Sequence, residues 1–364
     1  MKTAAVACLL ALAALSAGCV AEVPEEDVSQ NEDGILGGIP AKSKKYDAIG
    51  VLYGVRPTGA APICTGTLIG PHTVLTAGHC VHPTGAPFNI IDRFPVYFTV
   101  GYDSAAPKQT IRAVWGGVTP VAAQDMAIYQ LEEEPEDVEP IAWADTPLTE
   151  EDIKDKLTMV GFGLQDQDDT FFQFLTRRAG NLSVTTFNPQ ALHVLFPEYT
   201  EFKAFMEANA GKTFTDEQAG FIYNHNILRD GDVFIGKPGQ AQPVYLDSGG
   251  PALRHDGPDG LRVHGVNSRG YRADPTVPNT GTAKDLLPVG TVIVMTGNPD
   301  TNAFIENALA DVCRNISSGG HCSATTAIRC GTEVDPPSIT VVDCAEFGAV
   351  CKVDADGLAG CDDP

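Results

Sequence analysis

Three short segments carry side chains that could act together on a carbonyl group. Leu75-Thr76-Ala77-Gly78-His79-Cys80 holds an imidazole, Gln124-Asp125-Met126-Ala127-Ile128 a carboxylate, and Leu246-Asp247-Ser248-Gly249-Gly250-Pro251 a hydroxyl. A serine hydroxyl is a weak nucleophile near neutral pH and needs an adjacent base to take its proton. An imidazole titrates near that pH, so it can accept the proton and later return it to a leaving group. A buried carboxylate would fix the imidazole's tautomer and stabilise the imidazolium. Each segment alone means little: a His before a Cys is commonly structural, and Asp-Ser-Gly-Gly is commonly a turn. The chain order His, Asp, Ser carries more, because unrelated Ser-His-Asp folds use different orders.

With Cys64-Thr65-Gly66-Thr67-Leu68-Ile69 upstream, these segments resemble those of the chymotrypsin-like (trypsin-like) serine proteases. That family carries Thr-Ala-x-His-Cys, Asp-x-Ala-Leu/Ile and Gly-Asp-Ser-Gly-Gly-Pro in this order. His79 and Asp125 are 46 residues apart, against about 45 in the family template. Asp125 and Ser248 are 123 apart, which leaves roughly 30 extra residues in that interval. The resemblance spans residues 35–312 and implies an all-β fold. Two antiparallel Greek-key β-barrels would pack face to face, with the cleft between them. It also implies a serine endopeptidase that hydrolyses peptide bonds through an acyl-enzyme, with no metal or organic cofactor.

Carried onto this chain, the resemblance makes Ser248 the nucleophile, His79 the general base and acid, and Asp125 the orienting carboxylate. The backbone N–H groups of Leu246 and Ser248 would form the oxyanion hole, and Cys64 and Cys80 the disulfide of the His loop. Ile35-Leu36-Gly37-Gly38 resembles the N-terminus that zymogen cleavage frees, so the Ile35 ammonium would pair with Asp247. Leu157–Gly163 resembles a second-barrel strand. His264–Gly270 resembles the strand that pairs with substrate backbone, setting Ser268 and Gly270 beside the specificity pocket, with Gln242 at its base. The partners implied are a protein or peptide substrate and an activating protease, since Asp33-Gly34 is a poor site for trypsin-like self-cleavage.

Departures from the pattern cluster at the same place. Leu246 stands where the family has Gly, Arg269 where an aromatic is usual, and Val244 where a pocket-flanking Cys is expected. A side chain at 246 is expected either to strain the oxyanion loop or to turn its N–H away. The alternative function is therefore a catalytically weak homologue that serves as an extracellular binding protein. Gln242 is neither the Asp that selects Lys or Arg nor a small residue suited to apolar selectivity.

Short apolar runs between Gly, Pro, Asn and Asp clusters supply the framework: 48–55, 67–69, 74–77, 95–101, 126–131, 157–162, 233–235, 251–253, 261–266 and 291–295. Many short strands with turn signals read as barrels or sandwiches. Residues 189–226 break the pattern as a helical insertion, with Thr215-Asp216-Glu217-Gln218 a capping box, and a last helix is expected over 300–312. Residues 313–364 form a small module whose six cysteines would pair among themselves. The tail has no Cys-x-x-Cys pair to suggest zinc, and Asp354-Ala355-Asp356-Gly357 lacks the other ligands of a calcium loop.

Residues 1–18 read as an export leader: Lys2, an apolar run, then small residues. Leu15-Ser16-Ala17-Gly18-Cys19 resembles a bacterial lipobox, which would lipidate Cys19 and attach the chain to the outer membrane. Ser16 departs from that pattern, and ordinary secretion with an incidental Cys19 is the alternative. Residues 19–34 are an acidic linker or pro-segment. The extracellular space or cell envelope is the expected location. Net charge is −23, which argues against nucleic acid as a partner, because phosphates need a basic face.

Overall fold

The computed structural model describes residues 35–364 apart from 84–85, 87, 122–123, 165–174, 279–280, 311–318, 324–325, 332–337, 356 and 363–364. The leader, Cys19, the acidic linker and Cys313 lie outside the described residues. Strand β1 (Ile39–Pro40) comes first and pairs with the second barrel. The first barrel is closed by β2 (Ile49–Arg56), β3 (Gly59–Gly70), β4 (Thr73–Thr76), β5 (Val96–Val100), β6 (Gln109–Val118) and β7 (Ala127–Leu131). Its antiparallel order is β2-β3-β4-β7-β6-β5, with β5 returning to β2.

The second barrel uses β8 (Lys156–Gly161), β9 (Arg178–Thr186), β10 (Asp232–Ile235), β11 (Pro251–His255), β12 (Leu261–Arg269) and β13 (Thr291–Met295). Its order is β9-β10-β13-β12-β11-β8, and β8 closes the ring on β9. Apolar residues from both barrels, including Leu52, Phe98, Val160 and Val294, share one buried core. The barrels are thus packed on each other, which sets the cleft at their junction.

All ten apolar runs fall on or overlap strands. Strands β6 and β9 were not among them, because Arg112 and Gly116-Gly117 break the alternation of β6, and Arg178 and Asn181 that of β9. Between β9 and β10 lie α1 (Ala191–Leu195), α2 (Tyr199–Ala210) and α3 (Asp216–Tyr223). The capping box forms as read: the Gln218 N–H donates to Thr215 Oγ1 at 3.2 Å, and the Thr215 N–H donates to Gln218 Oε1 at 3.0 Å. Phe202, Met206 and Tyr223 cover Phe234, Tyr271 and Val292, so the insertion buttresses the second barrel beside the cleft.

Helix α4 (Pro299–Ala310) returns to the first barrel, where Gln130 Nε2 donates to the Ala308 carbonyl at 3.1 Å. The tail is a three-stranded sheet and a hairpin, with disulfides Cys322–Cys351 and Cys344–Cys361. Cys330 is also disulfide-bonded. Ile328 of the tail packs on Val114 of β6, so the module leans on the first barrel. Asp354 accepts the Leu358 N–H at 2.8 Å, which closes a turn; Asp356 lies outside the described residues.

Candidate active site

Topology brings His79 and Asp125 together. Strands β4 and β7 are antiparallel neighbours, with Thr76 opposite Ala127. The residues just after β4 therefore lie beside those just before β7, and these are His79 and Asp125. The Cys64–Cys80 disulfide, with Cα atoms 6.1 Å apart, ties the short helical turn Gly78–Cys80 back to β3. Both sulfurs are thereby taken, so the cluster of Cys64, His79 and Cys80 offers no thiolate to a metal.

Asp125 is held from three sides. His79 Nδ1 lies 2.8 Å from Oδ2, the His79 backbone N–H donates to Oδ1 at 2.7 Å, and Ser268 Oγ donates to Oδ2 at 2.6 Å. Burial alone would raise this carboxyl. The hydrogen bond and charge of His79, with the Ser268 hydroxyl and the backbone donor, outweigh it and bring Asp125 to about 2. An ionised acceptor at Oδ2 places the imidazole proton on Nδ1 and leaves Nε2 as the base. His79, Asp125 and Ser248 line one cleft of about 640 Å³.

The Ser248 loop is gripped by Thr65, a fully buried residue of β3. The Thr65 N–H donates to the Ser248 carbonyl at 2.9 Å, and Thr65 Oγ1 donates to the Leu246 carbonyl at 2.8 Å. The same oxygen accepts the Phe162 N–H at 3.1 Å. Between them Leu246 sits at φ +75°, a left-handed angle that a residue with a Cβ resists at a cost of about 1–2 kcal/mol. Its side chain is buried in the shared core. The strain expected of this leucine is present. At Gly249 (φ +79°) glycine is required, since a Cβ would lie 2.0 Å from Thr76 Oγ1.

Asp247 points away from the cleft into the second barrel. It is fully buried and accepts the Gly163 N–H at 2.7 Å and the Val244 N–H at 2.9 Å. Gly161 and Gly163 make room for it: a Cβ on either would come within 2.2 Å of a carboxylate oxygen. Burial without an opposing charge pushes Asp247 up to about 7, and among the described residues no cation lies in ion-pair range. Ile35 is fully buried in the same barrel, with Leu182 and Ala241. The following residue, Leu36, accepts the Gln242 N–H at 2.8 Å.

The residues read as a specificity pocket separate. Ser268 and Gly270 line the cleft, with Pro243, Val244, Tyr245 and Thr291. Gln242 is buried and turned to the backbone: Nε2 donates to the carbonyls of Pro243 and Gly290, and Oε1 accepts the Gly290 N–H at 2.9 Å. It is not among the residues lining the cleft. Arg269 reaches the fully buried side chain of Asp232 and the Ile227 carbonyl, and its Nη1 donates to Ser268 Oγ at 2.9 Å. Burial raises the Asp232 carboxyl while Arg269 pulls the other way. Two roles were missed in the sequence. The bond from Ser268 to Asp125 and the grip of Thr65 on Leu246 both join residues far apart in the chain, and no local pattern signals them.

Residues 35–190 match the family model described as Trypsin. No curated protein matches the chain.

Proposed function

Because the chain belongs to the chymotrypsin-like serine protease family, we propose that it is an endopeptidase working through an acyl-enzyme on Ser248. The observation that carries this reading is the ionised Asp125 carboxylate, bound to His79 Nδ1 in the cleft that Ser248 lines. His79 Nε2 takes the hydroxyl proton as Ser248 Oγ attacks the carbonyl carbon. The N–H groups of Leu246 and Ser248 meet the charge that develops on the carbonyl oxygen. The imidazolium returns the proton to the leaving amine. The same imidazole then deprotonates a water, whose attack on the ester releases the acid and restores Ser248.

Domain limits, export and activation belong to the same reading. Residues 35–312 form the protease domain and 313–364 the tail module. Residues 1–18 direct export, and lipidated Cys19 tethers the precursor to the outer membrane through residues 19–34. Another protease cuts before Ile35. Its ammonium then supplies the charge that Asp247 lacks, and the domain leaves its tether, since residues 20–34 hold no Cys. Mass spectrometry of the active species should find Ile35 at the N-terminus in the soluble fraction. Full activity in membrane-bound protein beginning at Cys19 would reject this order of events.

The strained Leu246 favours a second reading, a catalytically weak homologue retained for binding. A fluorophosphonate probe separates the two, because labelling needs both a working nucleophile and an oxyanion hole. The endopeptidase reading expects the label on Ser248, lost in His79→Ala. Absence of label on the cleaved protein supports the binding protein instead.

A further inference from the structure

The cleft is a positive island in an acidic chain. Net charge is −23, yet among the described residues the charged and imidazole side chains lining the cleft are Arg229, Arg269, Arg272, His79, His82 and a single carboxylate, Asp125. That carboxylate is already engaged by His79 and Ser268. Arg269 is engaged too: its Nε and Nη2 donate to the Ile227 carbonyl, Nη2 meets Asp232, and Nη1 donates to Ser268.

Arg272 is different. It follows the substrate-side segment Ser268–Gly270 and bridges to Leu286, which also lines the cleft. Its Nη2 donates to the Val277 carbonyl, while its Nε is buried and, among the described residues, without a hydrogen-bond partner. Among the described residues no carboxylate lies within ion-pair distance of it. The buried Nε is closed to a ligand, which leaves Nη1 as the accessible nitrogen of the guanidinium, and among the described residues it makes no hydrogen bond. A carboxylate suits this edge best, because its hydrogen bond to the guanidinium is charge-assisted. A basic side chain would meet like charge here, and an apolar one would leave the N–H unmatched.

We propose that Arg272 makes this an acid-selective cleft: it binds the carboxylate of a Glu or Asp side chain on the N-terminal side of the scissile bond. This rests on the endopeptidase reading for the bond that is cut, but not for the binding itself. Elsewhere the surface repels an anionic peptide, so the selection operates by contact within the cleft. Leu286 and Thr291 on the same lining leave room for the aliphatic stem of such a residue.

The test uses protein beginning at Ile35 and carrying Ser248→Ala, which binds without cutting. Fluorescein-labelled polyalanine peptides containing two adjacent Glu, Gln or Lys residues are titrated by anisotropy. The Glu peptide should bind about tenfold more tightly than the Gln peptide, and the Lys peptide most weakly. Arg272→Gln should erase the difference, Arg272→Lys should keep part of it, and Arg272→Glu should reverse it in favour of Lys. Equal binding of Glu and Gln peptides, tightest binding of Lys, binding of none, or an unchanged Glu preference in Arg272→Gln would overturn the proposal. Fluorophosphonate labelling of the unmutated protein is scored separately. Label without Glu preference rejects acid selectivity alone, and Glu preference without label rejects catalysis alone.

Discussion

In the first barrel the carboxylate of the site already has its partners; in the second barrel the corresponding carboxylate has none of opposite charge among the described residues. Asp125 is bound by His79 and Ser268 and sits at about 2. Among the described residues Asp247 is bound by two backbone N–H groups alone, and it is pushed up to about 7. The acid–base pair therefore needs nothing beyond the fold, because neighbouring strands β4 and β7 deliver it. In the proposed activation, the charge that the nucleophile loop lacks arrives only after a cut. The difference locates the control we propose: in the second barrel rather than in the His–Asp pair.

The comparison breaks most severely if Asp125 proves dispensable. Asp125→Asn should lower kcat by about 10⁴, because the imidazole is then held in the wrong tautomer. Steady-state hydrolysis of a peptide ester measures this, and a loss below about tenfold would contradict the assignment.

Asp247→Asn should act in opposite directions in the two forms. In the uncleaved chain it removes a buried unpaired carboxylate and should raise stability at neutral pH. In the cleaved chain it strands the Ile35 ammonium and should cost about 3–5 kcal/mol. The sign with pH follows. The folded-state value of Asp247 in the uncleaved chain is raised, so its contribution is fully present below the ordinary value of 3.8 and is lost as pH rises through about 7. Melting of uncleaved protein should thus lose ground to the cleaved form between pH 4 and 7, conditions bracketed by those two values. Parallel melting curves across that window would contradict the missing-charge account.

The chemistry-bearing segments were legible because each is a compact run: Leu75–Cys80, Gln124–Ile128 and Leu246–Pro251. The helical insertion was legible from a capping box that forms in full at Thr215 and Gln218. Strand β9 was hidden by Arg178, which is buried and satisfied by donating to the Gly38 carbonyl at 2.9 Å. The sequence shows the charge and not the distant acceptor. The resemblance sets Gln242 at the base of the pocket, and the fold turns its amide to the backbone of Gly290 instead. Thr65 looked like an ordinary strand residue, because its partner Leu246 lies 181 residues away.

Smaller effects sharpen the picture within the first barrel. The Cys64–Cys80 link closes a short loop, worth roughly 3 kcal/mol in the chain-entropy account. Cys64→Ala should lower the melting temperature correspondingly and reduce kcat more than it alters KM, because His79 adjoins the bond. Peptide mapping that joins Cys64 to a tail cysteine would contradict the pairing. Thr65→Val keeps the shape but releases the Leu246 carbonyl, and should lower kcat by about 10–100-fold with KM little changed. Thr65→Ser should restore most of it. A change confined to KM would show that Thr65 does not steady the oxyanion loop.

The central claim is that the second barrel waits for the Ile35 ammonium while the His–Asp pair stands ready. Its most direct test is the rate at which a fluorophosphonate labels Ser248 at neutral pH in the intact chain and in protein beginning at Ile35. The account predicts rapid labelling of the cleaved form, slow labelling of the intact form, and a return to the slow rate when Asp247→Asn is cleaved. Equal rates in the intact and cleaved forms would contradict it.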